Sequence, residues 1–367
     1  MTDLVVMSLE PWDEVWRRNQ YLIAGLLAQD PGLRVLFVEP PDDPIHALRR
    51  RRMPGFGHGV HQVADRLWTL RPLKALPRRL DPRADERRAG KVIAAASRLS
   101  MHRPILWVND PASATVARLS GWTSLYDMTD DWLEADRPGP ERARVAHGEA
   151  WLMRNACAVM ACSPELIRRK SDQRQDIVLV RNAVDLTRYR MPTERPRDLP
   201  AGRVALYAGT LHRDRLDVDL CVLTAQTLGD EGSLVLVGPN ALPAQDSASL
   251  RAAGVMLLGA KSRAEVPAYL QHADALVVPH VVTAFTESLD PLKLYEYRAV
   301  GRPVLSTPVA GFRDDQATIV GTGERFADAV AAAVRASRPF PAGADGAADD
   351  WSDRVRQVAR VLHGLAP

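Results

Sequence analysis

A chain of 367 residues, 46% hydrophobic and 25% charged, exceeds the roughly 100–200 residues of one ordinary domain; two domains with their own cores are predicted, and a mainly disordered chain is excluded. The formal net charge of +3 is small, and the arginines lack aromatic interleaving or a helix-turn-helix pattern, so no nucleic-acid partner is expected. The N-terminus runs from Met1-Thr2-Asp3 through a short apolar stretch to Met7 and then Glu10, without a basic leader or cleavage site, and no window nears the roughly 18–20 apolar residues of a membrane span; the expectation is a soluble cytoplasmic protein.

In chain order, short apolar runs alternate with amphipathic stretches, the pattern of parallel strands joined by crossover helices. Strands are predicted at 4–8, 34–39, 105–109, 124–128, 158–163 and 177–181, and helices at 13–28, 84–99, 141–155 and 164–171. Between the second strand and the second helix stands the run Arg49, Arg50, Arg51 and Arg52, followed by arginines at 66, 71, 78, 79, 83, 87 and 88. Two readings of the 45–90 region stay open: a solvated loop and helix face, or a patch that meets anionic lipid or a phosphate-bearing acceptor at the membrane surface. Gly55-Phe56-Gly57-His58-Gly59 does not fit G-x-G-x-x-G and follows no strand, so it reads as a mobile loop. Cys157, Cys162 and Cys221 lack metal-ligand spacing and read as buried thiols. No metal site is expected.

The stretch 187–202, rich in Pro and Arg and without apolar periodicity, reads as a linker. Strands then resume at 203–208, 233–237, 255–258, 275–278 and 303–306, with helices near 216–228, 263–272 and 291–300. A Gly- and Pro-containing segment at 339–346 leads to a last helix, 351–365, whose Val355, Val358, Val361 and Leu362 form an apolar stripe that must cover something; the N-terminal domain is the expected partner. The predicted organisation is therefore α/β, two Rossmann-like doubly wound domains facing a cleft: 1–186, a linker 187–202, 203–345, and a returning helix 346–367.

In such sheets ligands bind beyond the carboxyl ends of the strands, where helix N-termini receive phosphate. The corresponding loops of the second half are Gly209-Thr210-Leu211-His212-Arg213, Gly238-Pro239-Asn240, Gly259-Ala260-Lys261 and 279–291. Glycine at three openings permits close approach of backbone to an extended ligand. Most informative is Ser288-Leu289-Asp290-Pro291-Leu292-Lys293-Leu294-Tyr295-Glu296. Pro291 suits a first helical turn, so the amides near it can face a phosphate. Lys293 opposes the helix dipole, which makes sense beside a bound anion. Glu296, one turn on, can accept hydrogen bonds from two ribose hydroxyls. The bland alternative, a Lys293–Glu296 surface pair worth about 0.2–0.5 kcal/mol, explains neither the proline nor the cation.

This stretch resembles the donor-binding helix of GT-B glycosyltransferases, especially the retaining group called family 4 and, within it, enzymes of teichuronic acid and related polysaccharide synthesis. The resemblance continues in Tyr207-Ala208-Gly209-Thr210-Leu211, Leu236-Val237-Gly238-Pro239, Arg181-Asn182-Ala183-Val184-Asp185, Val35-Leu36-Phe37-Val38-Glu39-Pro40, Trp12, Arg17 and Gln20, and is weakest between 41 and 100. It implies a UDP- or GDP-linked sugar as substrate, a glycan, lipid-linked or small-molecule acceptor, and no resident cofactor. Glu296 would hold the ribose; Leu289, Asp290 and Leu292 amides with Lys293 the diphosphate; Arg213 or Arg215 its other side; Gly209, Thr210 and Gly238 the glycine loops; Gly259 to Lys261 the nucleobase.

The chain departs from the family in two places. Relatives carry two glutamates eight positions apart, but Ser288 stands eight before Glu296, with Glu287 beside it; Asp217 and Asp219 stand where a lysine is expected. In the first half, Asp127-Met128-Thr129-Asp130-Asp131-Trp132 ends a strand and reads as a helix cap, an acceptor contact or a cation site, and Asp110 follows another strand. Asp110, Asp130, Arg213 and Lys293 are the catalytic candidates. Trp12 and Trp132 are open between sugar stacking and packing. Two rivals remain: a nucleotide-sugar epimerase, and a non-catalytic scaffold that keeps the fold.

Overall fold

A computed structural model describes residues 2–41, 59–72, 81, 83–135, 137–336 and 349–365. Arg49 to Arg52, His58, Arg78 and Arg79 lie outside the described residues, and so does the glycine-rich segment expected to be a mobile loop, up to Gly59. Close contacts divide the chain into residues 1–181 with 352–367, and residues 182–351.

The first unit is built on β1 (Asp3–Met7), β2 (Arg34–Val38), β3 (Gly59–Ala64), β4 (Leu67–Arg71), β5 (Ile105–Val108), β6 (Ser124–Met128), β7 (Ala158–Ala161) and β8 (Val178–Leu179). Among the described residues they form one sheet in the order β3-β4-β2-β1-β5-β6-β7-β8. All neighbours run parallel except the β3–β4 hairpin. Helices α1 (Arg18–Gln29), α2 (Ala84–Arg98), α3 (Ala114–Ser120), α4 (Gly139–Asn155) and α5 (Pro164–Lys170) make the crossovers. Strands covered on both faces read as unbroken apolar runs, which is why Leu4 to Met7 and Val35 to Val38 are fully buried and were legible in sequence.

The second unit holds β9 (Val204–Ala208), β10 (Ser233–Val237), β11 (Met256–Gly259), β12 (Ala275–Val278), β13 (Val304–Ser306) and β14 (Thr318–Val320), ordered β11-β10-β9-β12-β13-β14 and all parallel. Its helices are α6 (Leu186–Arg190), α7 (Val218–Leu228), α8 (Ala244–Ala252), α9 (Val266–Gln271), α10 (Leu292–Val300) and α11 (Gly323–Arg335). One core gathers Leu206, Val235, Leu276, Leu294, Tyr297 and Phe312 on one face of the sheet; the other gathers Ala205, Leu236, Val277, Cys221, Phe326 and Val330 on the opposite face. These alternating residues of single strands show the sheet sandwiched between helices, the doubly wound arrangement.

The final helix, α12 (Trp351–Leu365), returns to the first unit as expected. Its Val355, Val358 and Leu362 are 2%, 0% and 6% exposed. The contact is close: a Cβ placed on Gly25 of α1 would collide with the Val355 side chain.

Several local expectations are corrected. Helix α1 begins at Arg18, not Asp13, because the Gln20 side chain reaches back to the helix start, where its Oε1 accepts from the Arg17 N–H at 3.0 Å. Residues 187–190 continue α6 rather than opening a linker, since the Asp185 carboxylate caps that turn by accepting from the Arg188 N–H at 3.1 Å. Cys162 and Cys221 are buried, but Cys157 is exposed, because it lies between the end of α4 and the start of β7 instead of inside the strand. Among the described residues no helix is long and apolar enough to cross a membrane.

Candidate functional site

In the second unit the ends of β9, β10 and β11 carry glycines at φ +154, +146 and +74: Gly209, Gly238 and Gly259. Their backbones interlock. The Gly209 N–H donates to Val237 O and the Gly238 N–H to Gly259 O, both at 2.8 Å. A Cβ on Gly238 would strike the Gly209 carbonyl, so glycine is required there for the loops to nest. Thr210, next in the loop, is exposed, and the following Leu211 N–H donates to Pro239 O at 2.9 Å.

Lys293 reaches this nest from the first turn of α10. A Cβ on Gly209 would lie 2.5 Å from both Lys293 Cε and Nζ, so the missing side chain makes room for the ammonium. That ammonium sits 5.0 Å from the Tyr207 ring centroid, and the Arg215 guanidinium sits 5.2 Å from the Phe285 ring. Neither cation is held in a salt bridge among the described residues; each rests on an aromatic face, which leaves its charge unneutralised. Burial, then the nearby Arg215 charge, pushes Lys293 down to about 8, against an opposing pull from Glu296. Burial, with Lys293 and Arg215 adding to it, holds His280 well below the ordinary imidazole range. Its neutral ring bonds the Tyr207 hydroxyl at 3.0 Å and fixes the platform under Lys293.

The N-terminus of α10 follows Pro291 and has no side-chain cap, and Gly301 closes the helix at φ +69 in the left-handed region. The amides of Leu292 and Lys293 therefore point out of the helix without an intrahelical acceptor. The loop before them is fastened through Asp290. Its carboxylate accepts from the Asn182 N–H at 2.5 Å and the Tyr295 hydroxyl at 2.7 Å, and its carbonyl accepts from Asn182 Nδ2 at 2.5 Å. Leu289 and Asp290 are thus set in place by contacts outside their own segment. One turn into the helix, Glu296 Oε1 accepts from the Tyr189 hydroxyl at 2.6 Å. Burial pushes the Glu296 carboxyl up, while the Tyr189 hydrogen bond and the Lys293 charge pull it down.

Other candidates are placed differently. Arg213 is paired with Asp246 of α8 at 2.9 Å and is largely exposed, so Arg215 is the cation of that loop beside Lys293. Lys261 is bound to Asp198 at 2.6 Å with its ammonium over the Tyr269 ring. Ser288 is buried and donates to Phe285 O at 2.9 Å, whereas Glu287 Oε2 is tied to Arg313 at 2.7 Å. Asp217 caps α7 by accepting from the Leu220 N–H at 2.9 Å, and Asp219 follows in the first turn, which gives both acids a place at the positive end of a helix.

In the first unit, Asp110 accepts from the Ala112 N–H at 3.0 Å and the Ser113 hydroxyl at 2.7 Å and pairs with Arg88 at 3.2 Å. Among the described residues no helix starts between β6 and Gly139, so of the readings open for Asp130 and Asp131 the helix cap is not seen. Asp127 is instead fully buried against Arg18, Trp107 Nε1 and Asn109 Nδ2, and Asp131 is paired with Lys170 and Arg169 at 3.1 Å. Asp130, half-buried, accepts from Thr129 Oγ1 at 3.2 Å. Trp12 packs edge-on against Phe37 at 5.1 Å, and Trp132 lies under the Arg137 guanidinium at 5.0 Å. Among the described residues no group of three His, Cys, Asp or Glu side chains is arranged to hold a metal ion.

Sequence reasoning missed Tyr189, Asn182, Phe285 and His280. Tyr189 stands in a stretch without periodicity, and no local pattern marks a phenol 107 positions from the carboxylate it meets.

Comparison with known proteins bears on the same loops. Residues 202–336 match the family model Glycosyl transferases group 1. The Bacillus subtilis (strain 168) protein TuaH, named for a glycosyltransferase of teichuronic acid biosynthesis, is 24% identical over 222 residues, 56% of this chain and 55% of that protein. The match thus spans about half of the relative's length. The crystal structure of Anabaena Alr3699/HepE in complex with UDP-glucose superposes with a TM-score of 0.69 at 14% identity, covering 99% of this chain and all of that one. WaaG, described as a glycosyltransferase of lipopolysaccharide biosynthesis, superposes with a TM-score of 0.63 at 14% identity, over 98% of this chain and 95% of that one.

Proposed function

We propose that this chain, which has the GT-B fold and carries the group 1 glycosyl transferase signature in its second unit, transfers a sugar from a nucleotide-sugar donor to an acceptor hydroxyl. The observation that carries the reading is the pair of cations Lys293 and Arg215, resting on rings rather than carboxylates, beside an uncapped helix N-terminus and a nest of glycine backbones. That set of groups suits a diphosphate, and Glu296 one turn away suits a ribose.

In the transfer, the acceptor oxygen bonds to the anomeric carbon while the bond from that carbon to the phosphate oxygen breaks, and the nucleoside diphosphate leaves with the electron pair. Negative charge grows on the phosphate. Preorganised Lys293, Arg215 and the α10 amides stabilise that charge without reorganising at the moment of reaction and need no metal. The lysine, depressed to about 8, gains most from an anion because the anion restores the stability of its charged form. Retention follows from the family likeness: the leaving phosphate then takes the acceptor proton, and no protein base is required. Asp110 and Asp130, which follow β5 and β6, are the proposed acceptor contacts. UDP or GDP is the nucleotide, and a glycan or lipid-linked hydroxyl the acceptor. The work is placed in the cytoplasm, at the inner face of the membrane if the arginines of 45–90 meet anionic lipid.

One observation favours a second reading, a scaffold that binds nucleotide without transfer: Ser288 fills the place of the first glutamate and Glu287 is held by Arg313. Calorimetric binding of UDP, GDP, ADP and the parent nucleosides to wild type and Glu296→Gln, with and without magnesium, tests the donor site. Selective binding of one diphosphate, weakened by the substitution, is expected. Binding of none removes the transferase reading. Release of free nucleoside diphosphate from the matching sugar nucleotide in the presence of acceptor then separates enzyme from scaffold.

A further inference from the structure

We infer that Tyr189 is a positioning residue of the donor site, whose hydroxyl fixes one oxygen of Glu296 so that the other is presented to the ribose; the inference rests on the ribose role proposed above for Glu296. Tyr189 is 3% exposed and its hydroxyl donates to Glu296 Oε1 at 2.6 Å. Oε2 takes no hydrogen bond from the described residues. A carboxylate that must accept from vicinal hydroxyls has to be ionised and held in one rotamer, and a short hydrogen bond from a buried phenol does both.

The donor is itself immobilised. Helix α6 is one short turn, capped by Asp185, which also pairs with Arg263 at 3.1 Å. The buried amide of Gln271 clamps its far end, with Nε2 donating to Tyr189 O at 2.9 Å and Met191 O at 2.8 Å, while Gln271 Oε1 accepts from the Thr193 hydroxyl at 2.7 Å. Each clamp fixes backbone at or beside Tyr189, and the phenol so held meets the carboxylate of Glu296 on α10. Burial alone pushes the Glu296 carboxyl up, and the Tyr189 hydrogen bond is the first of the two influences that oppose it, the second being Lys293. The start of the stretch 187–202, which reads as a linker in the sequence, thereby acquires a part in donor recognition that its sequence does not announce.

The test is calorimetric titration of UDP and GDP, of their 2′-deoxy and 3′-deoxy counterparts, and of inorganic pyrophosphate into the wild type, Tyr189→Phe, Glu296→Gln and the double variant. Phenylalanine keeps the buried ring and removes one oxygen, and thermal unfolding of each variant verifies the fold. The preference of the wild type for ribo- over deoxynucleotide should fall about threefold to tenfold in Tyr189→Phe, the range of one buried hydrogen bond. Pyrophosphate affinity should stay unchanged, and adding Tyr189→Phe to Glu296→Gln should cost nothing more. An intact preference in Tyr189→Phe, with the preference lost in Glu296→Gln, overturns the positioning role and leaves the ribose reading standing. Equal weakening of nucleotide and pyrophosphate also overturns it, since that marks general loosening. A wild type without any preference removes the ribose reading itself, and is recognised before any Tyr189 variant is measured.

Discussion

Lys293 is charged at some cost in the free protein. Its folded value of about 8 lies below the ordinary lysine value near 10.4, so the fold disfavours the protonated form. By linkage this group opposes folding below pH 8, and the opposition is relieved as pH rises from about 8 towards the unfolded value. A bound diphosphate reverses the preference. Binding near pH 8–9 should therefore take up protons, and affinity should fall as pH rises above that range; calorimetry in buffers of different ionisation enthalpy measures the uptake, and none would contradict the contact. Lys293→Ala should weaken nucleoside diphosphate far more than nucleoside, whereas equal losses would remove the phosphate role. In the first unit, Arg18 and Asp127 form a buried ion pair at 3.2 Å. Arg18→Ala strands the carboxylate and should destabilise that unit by about 3–5 kcal/mol in urea unfolding, much more than Arg18→Ala with Asp127→Ala.

At the scale of elements, helix α1 approaches α12 where Gly25 omits a side chain opposite Val355. Gly25→Val should cost about 1–3 kcal/mol by overpacking, and Val355→Ala in the same chain should recover part of it. A thermal midpoint unaffected by Gly25→Val would mean the helices part easily there. The elements that sequence located well are those whose signals are local: β5, β7 and β12 are continuous apolar runs, and α10 is bounded by Pro291 and Gly301. Two of those missed lack such signals. Helix α6 depends on one cap and on Gln271 from another element, while β14 is three residues whose Ile319 and Val320 are exposed at a sheet edge. Within the site, Lys293, Glu296 and the glycines were legible because each follows from what a helix start or strand end requires. Tyr207 and His280 were not, since their part is to support Lys293 from neighbouring strands.

Across the whole molecule, the last helix of the chain completes the first unit. Ending the chain after Trp351 uncovers the partners of Val355, Val358 and Leu362, each worth about 1.5–3 kcal/mol when fully buried, and should leave residues 1–181 unstable or aggregated. Proteolysis would show it, and a truncated chain as resistant as the full one would deny α12 that role. The amino-acid sequence determined the alternation of strands and helices, the two-unit α/β plan and the cation–carboxylate helix, because those depend on periodicity and capping over a few residues. Only the tertiary structure decided that Arg213 is spent on Asp246 while Arg215 is not, that Asp127 neutralises Arg18, and that Tyr189 meets Glu296. Each is a choice among partners far apart in the chain, settled by burial, where a charge or a hydroxyl must be satisfied by whatever the fold brings beside it.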